Sequence, residues 1–158
     1  EVWNFSYTRL IKEKYFIDAA LEYQKRLKRY CNLEISEIEP VKLSENPSET
    51  EIKSALEKEA ELIIKKIPNG SKVFSLCVEG KQLTSLQFAD KIRETSDFGG
   101  LLCFIIGSSY GLSERIKQKS DFRLSLSEMT FPHKLFRVML LEQIYRGFKI
   151  NEGSKYHK

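Results

Sequence analysis

The spacing of apolar residues along the chain changes repeatedly between two periods, which predicts strands and helices in alternation. Period-two or wholly apolar runs predict strands over residues 2–6, 33–38, 73–78, 101–106 and 122–127. Apolar positions three and four residues apart predict helices over residues 12–29, 85–94 and from Pro132 onward, and the capping box Ser48-x-x-Glu51 predicts another helix that runs to about Lys66. The run 101–106 has no polar face, which is typical of a parallel strand covered on both sides. The pattern therefore predicts an α/β fold, with a mostly parallel sheet and helices on both faces.

The chain contains no internal repeat, low-complexity tract or linker, so we expect a single domain over residues 1–158. No apolar run reaches the ~18 residues that span a bilayer, and no signal-peptide pattern precedes the first strand, so no membrane segment is expected. The three cysteines lack metal-site spacing, and Cys77 and Cys103 lie in strand patterns. We therefore expect buried, inert thiols, no metal and a cytoplasmic location.

Positive charge is concentrated at the C-terminal end of the chain. Residues 134–158 hold six lysines and arginines against two glutamates, whereas the remaining residues carry equal numbers of both signs, so the excess accounts for the net charge of +4. Such an end attracts the phosphate backbone of nucleic acids. A solvated helix face and tail would show the same charge distribution, so this feature alone leaves both interpretations open.

The helix that begins near Pro132 is apolar on nearly every side, which indicates burial on more than one side. In a chain of this size the second surface is expected to belong to another subunit, most simply in a symmetric dimer. A central helix within a monomer is the alternative. Arg137 falls in the apolar stripe, where it must pair with a carboxylate, reach water or face a polar ligand. His133 lies at the helix N-terminus, where a neutral imidazole is favoured.

Three predicted strands end in small or polar residues, and ligands of open α/β sheets bind beyond such ends. The buried strand ends in Gly107-Ser-Ser-Tyr-Gly111, the strand that contains Leu76 ends at Glu79-Gly80-Lys81, and the last strand ends at Ser127. The glycine spacing matches neither a dinucleotide fingerprint nor a P-loop. The loop is therefore either a plain turn or part of a site at which the three strand ends meet.

Several segments resemble the ribosomal large-subunit RNA methyltransferase H family of the SPOUT class. They are Phe104-Ile-Ile-Gly-Ser-Ser-Tyr-Gly-Leu112, Leu124-Ser-Leu-Ser-Glu-Met-Thr-Phe-Pro-His133, Arg137-Val-Met-Leu-Leu-Glu-Gln-Ile-Tyr-Arg146 and Gly153-Ser-Lys-Tyr-His-Lys158. The resemblance implies a C-terminal trefoil knot and a homodimer that acts on the assembled ribosome. It also implies S-adenosylmethionine as cofactor and N3 of a pseudouridine in large-subunit (23S) ribosomal RNA as the methylated atom.

The resemblance further implies the residues that bind the cofactor, which are Leu76, Gly107, Leu126, Ser127, Glu128, Met129, Thr130 and Phe131. These residues belong to the three strand ends described above. The family usually has two glycines where this chain has Gly107-Ser108, so the backbone approach at the second position differs.

The predicted reaction requires a base, because the pseudouridine N3 carries a proton that must leave before the nitrogen attacks. His157 and His133 are the two histidines of the chain. We expect Arg137 to stabilise the negative charge on the flanking carbonyl oxygens, and Tyr156 to stack on a base when the tail covers the partner's site. Two alternatives remain open: a catalytically inactive, knotted RNA- or ribosome-binding protein, and a SPOUT methyltransferase with another RNA target.

Overall fold

The computed structural model describes the backbone of residues 2–7 and residues 13–97 and 99–158 in full. The predicted start of the first helix at residue 12 lies outside the described residues. Strands and helices alternate along the chain: β1 (Val2–Tyr7), α1 (Lys14–Leu27), β2 (Asn32–Glu37), α2 (Glu49–Lys66), β3 (Lys72–Gln82), α3 (Ser85–Asp97), β4 (Leu102–Ile106), α4 (Glu114–Lys119), β5 (Phe122–Ser125) and α5 (His133–Asn151).

The five strands form one sheet in the order β2-β1-β4-β3-β5, and every pairing in it is parallel. The carboxyl ends of all five strands therefore lie along the same edge. β3 is the longest strand, and its pairing with β5 contains a bulge: both Leu76 and Lys81 pair with Leu124. The four residues between them, 77–80, stand out of the ladder at this edge.

Two hydrophobic cores lie on opposite faces of the sheet, as the wholly apolar β4 predicts. Leu102, Phe104 and Ile106 pack into the core formed with α1, α3 and α5. Cys103 and Ile105 alternate with them and pack into the core formed with α2 and α4. The predicted α/β class, with helices covering both faces of a parallel sheet, is confirmed.

α5 packs along α1 and α3. Apolar residues lie on nearly every side of this helix, but only one side of it is fully buried. Leu140, Leu141 and Ile144 are fully buried. Gly147 faces α3 so closely that an added Cβ would lie 2.5 Å from Cδ1 of Ile92. Other large apolar side chains of α5 are only half-buried, among them Phe136, Val138, Met139, Tyr145 and Phe148. The chain itself therefore covers one side of the helix and leaves apolar surface on another.

The structure differs from the predicted elements in one helix that was missed and in several element ends, among them the end of α3, which lies at Asp97 rather than at residue 94. α4 was not predicted, because it has six residues and buries only Ile116, too short a pattern to show a period. β3 extends to Gln82 through the bulge. β5 ends at Ser125 rather than at residue 127, because the Ser125 hydroxyl donates to the carbonyl oxygen of Ser127 (3.1 Å) and begins a turn.

The cysteines were expected to be buried and unreactive. Cys31, Cys77 and Cys103 are all buried free thiols, and burial raises the pKa of Cys103 to about 12, which makes it inert at neutral pH. None of the helices that the structure describes is both long and apolar enough to cross a membrane.

Candidate active site

A cavity of about 320 Å³ opens where β3, β4 and the segment after β5 reach the edge of the sheet. We call it the strand-end cavity. Its walls include most of the residues predicted to bind a cofactor: Leu76, Gly107, Leu126, Ser127, Met129, Thr130 and Phe131. Glu128 belongs to the same segment, but its side chain is exposed and does not line the cavity. The structure thus brings together three segments that are distant in sequence, at the position expected for ligands of parallel sheets.

The glycine loop, residues 107–111, forms one wall of the cavity and folds tightly on itself. The N–H of Gly111 donates to the carbonyl oxygen of Ser108 (2.9 Å), and Gly111 has a φ of +88°, which favours glycine. A Cβ at Gly107 would lie 2.6 Å from the carbonyl carbon of Gly111. Any side chain at position 107 would therefore displace the loop.

The segment 126–131 forms the opposite wall and is held by local hydrogen bonds. The N–H of Met129 donates to the Ser127 hydroxyl (3.0 Å), and the carbonyl of Ser127 accepts from Ser125. The segment thus uses some of its own polar groups in local bonds. The Met129 side chain is 72% exposed. The segment then leads into α5, which begins at His133 directly after Pro132.

An ion pair between Glu79 and Lys117 lies at the cavity wall. The hydrogen bond from Lys117 holds the pKa of the Glu79 carboxyl below its usual range. Burial lowers the pKa of Lys117, but the bond to Glu79 and the nearby acidic groups raise it overall, so both groups are charged at neutral pH. Glu79 belongs to a predicted strand end, Glu79-Gly80-Lys81, whereas Lys117 was not predicted because it lies on the unpredicted α4.

His133 and Arg137 lie one turn apart on α5 but have different surroundings. His133 is half-buried and lines the strand-end cavity. Arg137 is buried, does not line the cavity, and bonds through Nη1 to Oε1 of Glu37 (3.4 Å) at the end of β2. This ion pair confirms the expectation that a guanidinium in the apolar stripe would need a carboxylate or another polar partner.

The C-terminal residues Tyr156 and His157 pack against α5 of their own chain, away from the cavity. The Tyr156 ring lies edge-on to Tyr145, with 5.1 Å between centroids, and under the Arg146 guanidinium at 4.8 Å. Its hydroxyl donates to Glu142 (3.3 Å). Burial and the Glu142 carboxylate raise the pKa of Tyr156, so it stays protonated at neutral pH. Nδ1 of His157 lies 3.4 Å from Nη1 of Arg146.

Of the four residues predicted to take part in catalysis, His133 is thus the one that shares a cavity with the predicted cofactor residues. The other three, Arg137, Tyr156 and His157, contact Glu37 or the Glu142–Arg146 pair of α5 instead. Among the residues that the structure describes, no group of histidine, cysteine and acidic side chains could hold a metal ion.

Comparisons with known proteins agree over nearly the whole chain. A family model described as "Predicted SPOUT methyltransferase" matches residues 6–157. Putative ribosomal RNA large subunit methyltransferase H of Methanococcus vannielii is 51% identical over 149 residues, which is 94% of each chain. Ribosomal RNA large subunit methyltransferase H of Clostridium tetani is 48% identical over the same length and the same shares.

Among solved structures, a probable methylase family protein from Haemophilus influenzae has a TM-score of 0.57 at 14% identity. The match covers 99% of this chain and 70% of that one, which shows a shared fold. Together with the family model and the relatives near 50% identity, it places the strand-end cavity in a SPOUT fold. The chain belongs to the SPOUT methyltransferases and, within them, to the ribosomal RNA large subunit methyltransferase H family.

Proposed function

We propose that the protein transfers the methyl group of S-adenosylmethionine to N3 of a pseudouridine in large-subunit (23S) ribosomal RNA. We further propose that it does so as a homodimer on the assembled ribosome. One observation carries this proposal: Leu76, Gly107 and the segment 126–131, which the family resemblance assigns to the cofactor, line a single cavity. The names of the relatives support large-subunit ribosomal RNA as the substrate.

The strand-end cavity suits a nucleoside joined to an amino acid. Leu76, Leu126 and Phe131 offer apolar walls for a flat ring, while the glycine loop offers backbone polar groups. Because Gly107 has no side chain, a ligand can approach the backbone of the loop. Bound there, S-adenosylmethionine supplies an electrophilic methyl group, and the protein contributes position and electrostatics.

His133 is our preferred base for the N3 proton. It lines the cavity at the start of α5, where the helix dipole favours a neutral imidazole that can accept a proton. Arg137, one turn beyond His133, is held by Glu37 outside the cavity, so it would support the negative charge on the uracil carbonyl oxygens through its positive charge and not through direct contact. His157 and Tyr156 would enter the reaction from the tail of the other subunit, with Tyr156 stacked on a base.

Uncovered apolar surface supports the homodimer. Val138 and Met139 of α5 line a second cavity, of about 410 Å³, with side chains of α1, α3 and β5. On α1, Leu21 is 53% exposed and Ile17, one turn earlier, is also exposed. A second copy of the chain would cover such surface. Sedimentation at micromolar concentration should show a dimer, and a monomer under those conditions would contradict the proposal.

The decisive experiment is methylation of purified ribosomes. Ribosomes from a strain that lacks the modification would be incubated with the protein and labelled S-adenosylmethionine, and the methylated nucleotide mapped by mass spectrometry. A methyl group on N3 of one 23S pseudouridine is the expected result. Label on another nucleotide would indicate a different RNA target. Absence of cofactor binding in calorimetry would favour an RNA- or ribosome-binding protein without activity.

A further inference from the structure

Three large apolar side chains line the strand-end cavity and are nevertheless exposed to solvent. Val78 of the β3 bulge is 53% exposed, Tyr110 of the glycine loop 48% and Met129 of the segment after β5 72%. Because each of them is a lining residue that also reaches water, they lie at the opening of the cavity. We call these three residues the apolar rim. Each comes from a different wall, so the rim borders the opening on three sides.

The concentration of exposed apolar side chains at this opening is the feature that needs an explanation. Single exposed apolar residues are common on soluble proteins and need none. Among the residues that the structure describes, eight large apolar side chains are exposed, and three of them border this one opening. Such a grouping indicates a ligand that presents an apolar surface to the rim.

The size of the cavity indicates what that ligand is. A volume of about 320 Å³ lies at the lower end of the roughly 300–1,000 Å³ that is usual for small-molecule sites. The proposed cofactor would therefore fill the cavity and leave the methylated base at its opening. An enzyme that modifies a base within an RNA takes that base out of its stack. The flat faces of the base are then free to stack on an aromatic side chain.

Tyr110 is the aromatic residue of the apolar rim, and its backbone is held in place. It is the third residue of the turn that the N–H of Gly111 closes by donating to the carbonyl oxygen of Ser108 (2.9 Å). A side chain on a fixed turn loses little conformational freedom when it binds. His133, the proposed base for the N3 proton, lines the same cavity, so a nucleobase on Tyr110 would remain within the same site.

We propose that the apolar rim is the docking surface for the target nucleobase, with Tyr110 stacked on a flat face of the base and Val78 and Met129 adding apolar contacts. This inference rests on the proposed function, because RNA is taken as the substrate and the cavity as the cofactor site. The contact is separate from the one proposed for Tyr156, which lies against α5 away from the cavity. Stacking of this kind supplies affinity for any base, so the choice of nucleotide depends on other groups.

Steady-state methylation of ribosomes tests the role of the ring. We expect Tyr110→Ala to raise the KM for ribosomes roughly tenfold and to change kcat by less than about twofold, because stacking stabilises the bound base and the transition state alike. Tyr110→Phe and Tyr110→Trp keep an aromatic ring and should have a KM close to that of the wild type. Met129→Ala should raise KM by a smaller factor. Cofactor affinity measured by calorimetry should stay unchanged in all four variants.

Leu62→Ala is the matched control, because Leu62 is an apolar side chain with 44% exposure on α2, outside the cavity. It should leave the KM for ribosomes unchanged. An unchanged KM in Tyr110→Ala would overturn the proposal. A loss of cofactor affinity in place of a raised KM would also overturn it and would assign Tyr110 to the cofactor site. Since Tyr110 is exposed, its variants should unfold at the same temperature as the wild type.

Photo-crosslinking separates this inference from the proposed function. A benzophenone amino acid in place of Tyr110 would be irradiated in the presence of ribosomes that lack the modification. Cross-links to 23S ribosomal RNA, at the methylated nucleotide or its neighbours, are the expected result. Cross-links only to ribosomal proteins, or to the tail of the other subunit, would overturn the RNA contact. If the wild type binds no S-adenosylmethionine, the proposed function is wrong, and the cross-links still decide whether the rim contacts an RNA base.

Discussion

The two ends of α5 carry the two candidate catalytic regions, and they are built differently. At its N-terminal end, His133 lies in a cavity whose walls come from three strand ends. At its C-terminal end, Tyr156 and His157 rest on Arg146 and Glu142 through a few partly exposed contacts. Contacts of that kind contribute little free energy, so the tail can leave α5 at small cost, whereas the cavity walls are fixed by the sheet. We therefore expect the first region to be preformed and the second to be exchangeable.

The sharpest test of this contrast removes the two histidines one at a time. We expect His133→Ala to lower the turnover of ribosome methylation by ~10²-fold or more, because the proposed base in the strand-end cavity is lost. Cofactor affinity measured by calorimetry should stay close to that of the wild type. His157→Ala is the matched change at the other end of α5. A larger turnover loss in His157→Ala than in His133→Ala would reverse the assignment and make the tail the source of the base.

Gly107→Val tests the rigidity of the cavity walls. A Cβ already meets the carbonyl of Gly111 at 2.6 Å, and valine adds two methyl groups, so the loop must move out of its place. We expect cofactor affinity to fall by roughly 100-fold, or about 2.7 kcal/mol. Thr50→Val, on the exposed first turn of α2, serves as a control for the β-branched side chain. Unchanged binding by a folded Gly107→Val protein would place the cofactor elsewhere.

Tyr156→Ala tests the exchangeable region. Because the ring is held by partly exposed contacts, the free energy of unfolding should change by less than about 1 kcal/mol in a denaturant titration. Binding to ribosomes should weaken by roughly 1–3 kcal/mol if the ring stacks on a base. Tyr156→Phe keeps the ring and loses the bond to Glu142, so it should bind like the wild type. Loss of stability without loss of ribosome binding would make Tyr156 a structural residue only.

The smallest expected effect is the pH dependence that Glu59 adds to stability. Burial raises its pKa above that of the unfolded chain, so its favourable contribution is present at low pH and lost as the pH rises through the folded pKa. Thermal unfolding of Glu59→Gln should therefore improve relative to the wild type as the pH is raised from acid to neutral. Ser54→Ala, on the exposed side of α2, carries no titrating group and should run parallel to the wild type at every pH.

Most of the fold could be predicted from local periodicity, but the contacts that complete the site could not. The apolar run of β4 predicted a strand covered on both sides, and the ends of β3, β4 and β5 marked the cavity. Arg137 in an apolar stripe predicted a polar partner, yet nothing in the pattern identified Glu37, a hundred residues earlier. The hydrogen bond from the Val41 N–H to Glu59 and the ion pair between Lys117 and Glu79 also join distant segments. Such pairings depend on how helices pack on the sheet, which periodicity does not encode.

The position of the tail was also not accessible from the sequence. Its aromatic and imidazole groups indicated a role in binding, but their contacts with Arg146 and Glu142 depend on how the chain reverses after α5, at Gly153. The trefoil knot that the resemblance implies stays a prediction. Threading can be tested by the slow, multistep refolding kinetics expected of a chain that must pass one segment through a loop.

The bulge in β3 offers a means of redesigning the cavity. Residues 77–80 stand out of the ladder between Leu76 and Lys81, and Cys77, Val78 and Glu79 thereby line the cavity from within a strand. A Cβ at Gly80 would lie 2.8 Å from the carbonyl oxygen of Arg123, so β5 approaches the bulge closely at this one point. Since pairing resumes at Lys81, we expect the strand order to persist when the bulge is lengthened or shortened before Gly80. An engineer seeking an enzyme for bulkier cofactor analogues would begin there.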